Sequence, residues 1–389
     1  DRSLLPDSHW LHDRSWLHET DGLRNIGYIK LPTLVDGSDA RSSSIGASFL
    51  SQLVLRPLVA SLAAVLTLAA TSTAMAADEV RVFSGRHYSS DDALYERFTK
   101  ATGIKVRLLE AKDSEIIERL RREGRNGSAD VLILVDAARL DQASDAGLFQ
   151  PIRSGALMRD VPLGLRDAKD RWFGLTRRVR ALVVNPKLVP PGSLRTYADL
   201  ANPALKGKLC LRNRANVYNQ SLVADQLILR GEAATASWVK GMVANLAEPV
   251  FTSDTTLARA VAQGKCAVGV VNSYYVARML DGQSGAADKA LAQKLRVVYP
   301  RPAHVNISGA GVTRYATNKA QAIQLIEFLT SPNAAAGFAQ ASLEYPLKGN
   351  GNNPILKRFG SFTPDGLSAA QLGAKNKQAV ALMTANGWQ

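Results

Sequence analysis

From Val80 onward, short apolar runs alternate with stretches whose apolar residues recur every three or four positions. "VRVFSG" (80–85) reads as a strand, 89–101 as a helix opened by Ser89 and Ser90, and "KVRLLEA" (105–111) as a second strand. A helix over 113–123 and a strand at "ADVLILVD" (129–136) follow, and strand–helix–strand at this spacing predicts parallel βαβ units. Further on, the pattern predicts a short strand at "RALVVNP" (180–186) and another around 208–212. Helices follow near 219–230, 232–246 and 254–263, with strands at "CAVGVVN" (266–272) and "LRVVYP" (295–300). Asn318 opens a helix whose Ala322, Leu325, Ile326 and Leu329 share one face, and Ser331-Pro332 opens the next. The expected class is α/β. The strands at 180–186 and 295–300 are the places where the chain would cross between two lobes, leaving a ligand cleft between them.

Residues 54–76, "VLRPLVASLAAVLTLAATSTAMA", follow another logic. One arginine precedes an uncharged apolar run, and small residues end it in Ala-Met-Ala, the pattern of a secretory signal cleaved after Ala76. Residues 1–53 lie upstream of it, lack methionine and show no sustained period, so they are read as translated upstream sequence with initiation near Val54, outside the fold. Export to the periplasm changes how charge is read. The 389 residues carry a formal net charge of +14, a balance that often points to nucleic acid, but the basic residues are dispersed and the densest run, "RLRREGRNG" (119–127), is a solvated helix face. Neither composition nor location favours a nucleic-acid partner. The two cysteines, Cys210 and Cys266, would be either a disulfide in an oxidising compartment or two buried thiols.

The candidate chemistry lies at strand ends, where open α/β sheets bind their ligands. "CAVGVVN" runs into Asn272, Ser273, Tyr274 and Tyr275; "VRVFSG" into His87 and Tyr88; "LCLRNRANVY" ends on Tyr218. One such tyrosine is ordinarily a packing residue with its hydroxyl satisfied. Four, with a histidine, suit a hard, highly charged cation: phenol ionises near pH 10, a trivalent ion lowers that barrier, and anionic oxygen suits ferric iron better than softer divalent ions. Four tyrosinates around Fe3+ leave one negative charge, for which Arg178, Arg180 and Arg278 are candidate counter-ions. No G-x-S-x-G elbow, H-E-x-x-H or P-loop is present, so an enzyme is not expected.

The motifs "GRHYSSD" (85–91), "RNRANVYNQSL" (212–222) and "VNSYYVAR" (271–278), with scaffold matches at "TYADLANPALKGKL" and "NISGAGVTRYATNKAQAIQLIEFLTSP", resemble the periplasmic ferric-iron-binding proteins of ABC transporters, cyanobacterial-type branch. The resemblance covers Val80 to the C-terminus. It implies a type II two-lobed periplasmic binding protein fold, hinged, with transferrin-like lobe closure on a metal cleft. The segments would be 77–177 for the first lobe, 178–298 for the second, 299–350 returning to the first, and 351–389 as helices packing on the second. It further implies Tyr274 and Tyr275 as paired ligands, Tyr218 as a third from the same lobe and Tyr88 as the ligand from the other. His87 matches a position that is a ligand in some members only; Arg178 and Arg278 match basic residues beside the metal. Cys210 and Cys266 would lie on neighbouring strands, which favours the disulfide. The implied role is a monomeric carrier that passes ferric iron to an inner-membrane ABC permease. The same scaffold also carries organic cations and anions of the polyamine, thiamine or phosphonate class, but those sites need carboxylates, aromatic walls or backbone amides rather than clustered phenols.

Overall fold

The computed structural model describes residues 78–86 and 88–389; the signal segment at 54–76, the stretch 1–53 and His87 lie outside the described residues. The chain begins with strand β1 (Glu79–Ser84), helix α1 (Asp92–Thr102), β2 (Lys105–Glu110), α2 (Asp113–Glu123) and β3 (Val131–Val135). Helices α3 (Ala137–Asp145) and α4 (Gly155–Asp160) lead to β4 (Phe173–Val184) and β5 (Leu209–Cys210). Next come α5 (Val217–Arg230), α6 (Glu232–Ala244), α7 (Asp254–Ala262), β6 (Val268–Asn272), α8 (Ser273–Asp281) and α9 (Ala286–Ala292). The chain closes with β7 (Arg296–Val298), β8 (Val305–Val312), α10 (Lys319–Thr330), α11 (Pro332–Ser342), α12 (Pro354–Arg358), α13 (Ala369–Ala374) and α14 (Asn376–Ala385).

The strands run in the order β2-β1-β3-β8-β4-β6-β5, with β7 also paired to β4. β1 is parallel to β2 and β3, whereas β8 is antiparallel to both β3 and β4. β4 is the bridge. Its first part, Phe173–Val179, pairs with β8; its second, Arg180–Val184, pairs with β6 and β7. Each half of the sheet carries helices on both faces, which is why its strands read as unbroken apolar runs. In β3, Val131 and Ile133 point into a core with Phe98 and Leu325, while Leu132 and Leu134 point into another with Ile116 and Leu140. In β4, Leu182 and Val184 pack with Trp238 and Met242, and Val183 with Leu257 and Met279. A fifth apolar cluster, containing Tyr88, Val179, Tyr274, Tyr299 and Tyr345, fills the place where β4 passes between the halves.

The pattern had placed a short strand at 180–186; β4 starts at Phe173 instead. Thr176, Arg177 and Arg178 interrupt the apolar run, yet Thr176 and Arg178 are buried, paired with a distant acid that no local pattern reveals. β8 has no counterpart among the expected strands, since Gly309 and Gly311 break its apolar sequence. Both are required by close approach: a Cβ on Gly311 would stand 2.5 Å from the Arg171 carbonyl oxygen and 2.6 Å from the Phe149 ring. The strand expected near 208–212 shortens to Leu209–Cys210, and Cys210 is disulfide-bonded to Cys266 with Cα atoms 5.8 Å apart. Of the C-terminal helices, α13 packs against α3 and α14 against α5. No helix among the described residues is long and apolar enough to cross a membrane.

Candidate metal centre

Tyr88 follows β1 and precedes the 3-10 turn Ser89–Asp91 that leads into α1. Tyr218 is the second residue of α5, opened by Asn216, whose side-chain oxygen accepts from Asn219 N. Tyr274 and Tyr275 are the second and third residues of α8, directly after β6. Three of the four phenols thus stand in the first turn of a helix, where exposed amide N–H groups favour a negative charge.

The structure brings these four residues together. The Tyr274 and Tyr275 rings stack with centroids 4.3 Å apart, and the Tyr88 ring meets Tyr274 edge-on at 6.2 Å. Arg178, buried on β4, donates from Nη2 to the Tyr88 hydroxyl at 3.0 Å and from Nη1 to the Tyr218 hydroxyl at 3.3 Å, with its guanidinium 5.2 Å from the Tyr274 ring centroid. Arg278 lies over Tyr88, its guanidinium carbon 4.1 Å from the ring centroid. The Tyr274 hydroxyl is buried and has no hydrogen-bond partner, a costly state for a group with nothing to bind.

What fixes Arg178 is Glu344, which sequence reasoning missed. Glu344 follows α11, is fully buried, and accepts from Arg178 Nε at 3.0 Å, from Arg86 Nη1 at 2.9 Å and from the Thr176 hydroxyl. Arg86 is held in turn by Asp91, which accepts from its Nε at 2.8 Å. Nothing in "ASLEYPLKGN" distinguishes this acid; the one available signal was that two buried arginines needed anions. Arg180, the other sequence candidate, has its guanidinium carbon 5.9 Å from the Tyr218 ring centroid. It donates to Asp254 Oδ2 at 2.8 Å and to Asn219 Oδ1 at 2.6 Å, and Asp254 also accepts from the Asn272 amide, so this ion pair sets the start of α5 against the exit of β6.

The electrostatics divide sharply. Burial pushes the Tyr88 phenol up to about 12, with Arg178 pulling the other way, and burial together with neighbouring phenols holds Tyr274 and Tyr275 well above the ordinary value. Glu344 moves oppositely: burial would raise it, but Arg178 and Arg86 hold it at about 2. Tyr88, Tyr274 and Tyr275 are therefore neutral at pH 7, packed where a strongly charged cation is needed to displace their protons, beside a Glu344 carboxylate that its two arginines keep ionised.

The pattern of the family described as bacterial extracellular solute-binding protein matches residues 93–348. The chain is 42% identical over 316 residues to "Iron uptake protein A1" of Synechocystis, covering 80% of this chain and 88% of that one. It is 28% identical over 321 residues to the "Major ferric iron-binding protein" of Neisseria meningitidis, covering 80% and 92%. Among solved structures, the Trichodesmium protein IdiA (FutA), in complex with iron and citrate ligands, superposes with a TM-score of 0.77 at 42% identity, covering 80% of this chain and all of that one.

Proposed function

The chain belongs to the bacterial extracellular solute-binding proteins, and we propose that it captures ferric iron in the periplasm and delivers it to an inner-membrane ABC permease. The observation that carries the reading is the convergence of four phenols, one of them buried without a partner, in a chain whose relatives take up or bind ferric iron. In this reading Tyr88, Tyr218, Tyr274 and Tyr275 are the ligands, with His87 beside Tyr88 as a candidate fifth. Fe3+ is cargo, and no turnover chemistry is involved; the relatives are transport proteins.

The charge can be followed residue by residue. Four phenolates around a trivalent ion leave one negative charge, while Arg86, Arg178, Asp91 and Glu344 form a neutral buried set. Arg278, over the Tyr88 ring, supplies the remaining positive charge. In the closed form Arg178 holds the Tyr88 and Tyr218 oxygens near one another, which lowers the ordering cost of completing the shell. The lobes of this reading are 77–177 with 299–350, and 178–298 with 351–389, the last joined to the second lobe through α12 and α14 while α13 rests on α3 of the first. They are hinged at β4 and at 299–304, so that closure carries Tyr88 to the other three phenols, and metal favours the closed form by those added bonds. The mature protein begins after Ala76 and acts as a monomer.

The test is a visible absorption titration of the purified protein with ferric citrate. Tyrosinate bound to Fe3+ gives a charge-transfer band that a protonated phenol cannot produce. We expect saturation near one iron per chain and loss of the band in Tyr274→Phe/Tyr275→Phe. A wild-type protein that stays colourless would overturn the assignment.

A further inference from the structure

A second cluster lies apart from the phenols. Asp225 on α5, His304 just before β8 and Asp365 between α12 and α13 meet in the interior, their side chains no more than 2% exposed. His304 Nδ1 is 3.3 Å from Asp365 Oδ2 and 3.6 Å from Asp225 Oδ1, and one ligand atom from each residue lies within 4.8 Å of the others. A tetrahedral ion with bonds of about 2.0–2.1 Å holds its ligand atoms roughly 3.3–3.4 Å apart, so the two imidazole–carboxylate separations are close to those of a first coordination shell.

Two independent features point to a missing cation. Asp225 Oδ1, which faces His304 Nδ1 across 3.6 Å, is buried with no partner within hydrogen-bond distance. Charge also has to be balanced: among the described residues, the ion pairs of Asp225 and Asp365 are with His304 alone, so with both carboxylates ionised a protonated imidazole leaves one buried negative charge for a cation or a further proton to cancel. A divalent cation with neutral imidazole cancels both. The carboxylates are already oriented by outer contacts: Gln226 Nε2 donates to Asp225 Oδ2 at 2.7 Å, and the Val305 and Leu367 amides donate to the two oxygens of Asp365.

We propose that Asp225, His304 and Asp365 form a structural site for one divalent transition-metal ion of the zinc class, distinct from the tyrosine site. One nitrogen and two carboxylate oxygens suit Zn2+ better than calcium or magnesium, which prefer six or more oxygens. The ion ties the C-terminal connection to α5 and to the segment entering β8. His304 is itself pinned to β4, since its carbonyl accepts from Arg180 N at 3.0 Å and its amide donates to the Tyr197 hydroxyl at 3.0 Å. In the metal-free protein, protons take the cation's place. Burial would lower His304, but the facing Asp225 and Asp365 carboxyls push it up to about 9, and burial raises Asp225. Metal uptake therefore releases protons.

The experiment uses Tyr274→Phe/Tyr275→Phe to remove competition from the phenols. The protein is unfolded in chelator, refolded with Zn2+ and dialysed, and its zinc content and Tm are compared with those of protein refolded in chelator. About one zinc per chain and a higher Tm are expected; no retained zinc, or an unchanged Tm, overturns the proposal. Adding Asp225→Asn, with folding checked by circular dichroism, should abolish retention, and equal retention would show adventitious surface zinc. If that variant does not fold, Co2+ replaces Zn2+ in the parent. Four-coordinate Co2+ gives strong visible absorption, and its absence counts against the site.

Discussion

The phenol cluster and the guanidinium–carboxylate cluster beside it share two hydrogen bonds yet follow opposite rules. Tyr88, Tyr274 and Tyr275 are uncharged groups in a place that discourages their ionisation; Arg86, Arg178 and Glu344 are full charges that burial would discourage but mutual pairing sustains. Arg178 belongs to both, reaching Glu344 with Nε and two phenols with its terminal nitrogens. The difference teaches that the site separates its tasks. One set holds geometry without regard to cargo, and the other withholds charge until cargo brings enough field to release the protons.

The comparison breaks most directly at the phenols. Tyr274→Phe/Tyr275→Phe should lower ferric affinity roughly a hundredfold or more, since outer-shell changes alone cost about 10–100-fold, and should leave Tm within a few degrees; competition against citrate and thermal melts measure the two. Glu344→Gln should do the reverse in kind, losing about 3–5 kcal/mol of stability because Arg86 and Arg178 keep a buried charge without its partner. Urea unfolding would show it, and an unchanged midpoint would mean that the pairing is neutral.

Acid separates the two clusters without mutation. Because protons compete with metal for phenols whose ionisation is pushed up, ferric affinity should fall steadily from pH 8 to pH 5. The contribution of Glu344 runs on another scale: its folded value of about 2 lies below the unfolded value of about 4.3, so its stabilisation is present above that and lost as pH falls toward 2. Loss of iron at pH 5–6 with a native circular dichroism spectrum is the expected result. The smallest effect is a control: Gly311→Ala, where the added methyl would press on the Arg171 carbonyl and the Phe149 ring, should cost about 1–3 kcal/mol and leave ferric affinity unchanged.

The phenols were legible in the sequence because each follows a local rule: an apolar strand ends, a polar turn begins, and a helix opens on the aromatic residue. The parallel βαβ start of the chain and the helix over Lys319–Thr330 were legible for the same reason. Glu344 was not, because its meaning depends on Arg86 and Arg178, which are distant in sequence and reach it only through β4 and the β1–α1 connection. Asp225, His304 and Asp365 were hidden likewise, coming from three segments with no shared spacing. β8 was hidden by its glycines, whose role is to let Leu140, Phe149 and the β4 approach come close. Local chemistry could be read; partnership across the fold could not.

The pairing of Val131 with Val312 has a consequence for the order in which the molecule can form. β1, β2 and β3 are close in the chain, but β3 remains an edge with open N–H and C=O groups until β8 arrives, after almost the whole of the other half has been made. A chain threaded through a membrane from its N-terminus would have to keep that apolar edge from sticking elsewhere while it waits. The half carrying Tyr218, Tyr274 and Tyr275 can meanwhile assemble β4, β5, β6 and β7 from one continuous stretch. Three of the four phenols would thus be in place before the strand that completes the sheet behind Tyr88.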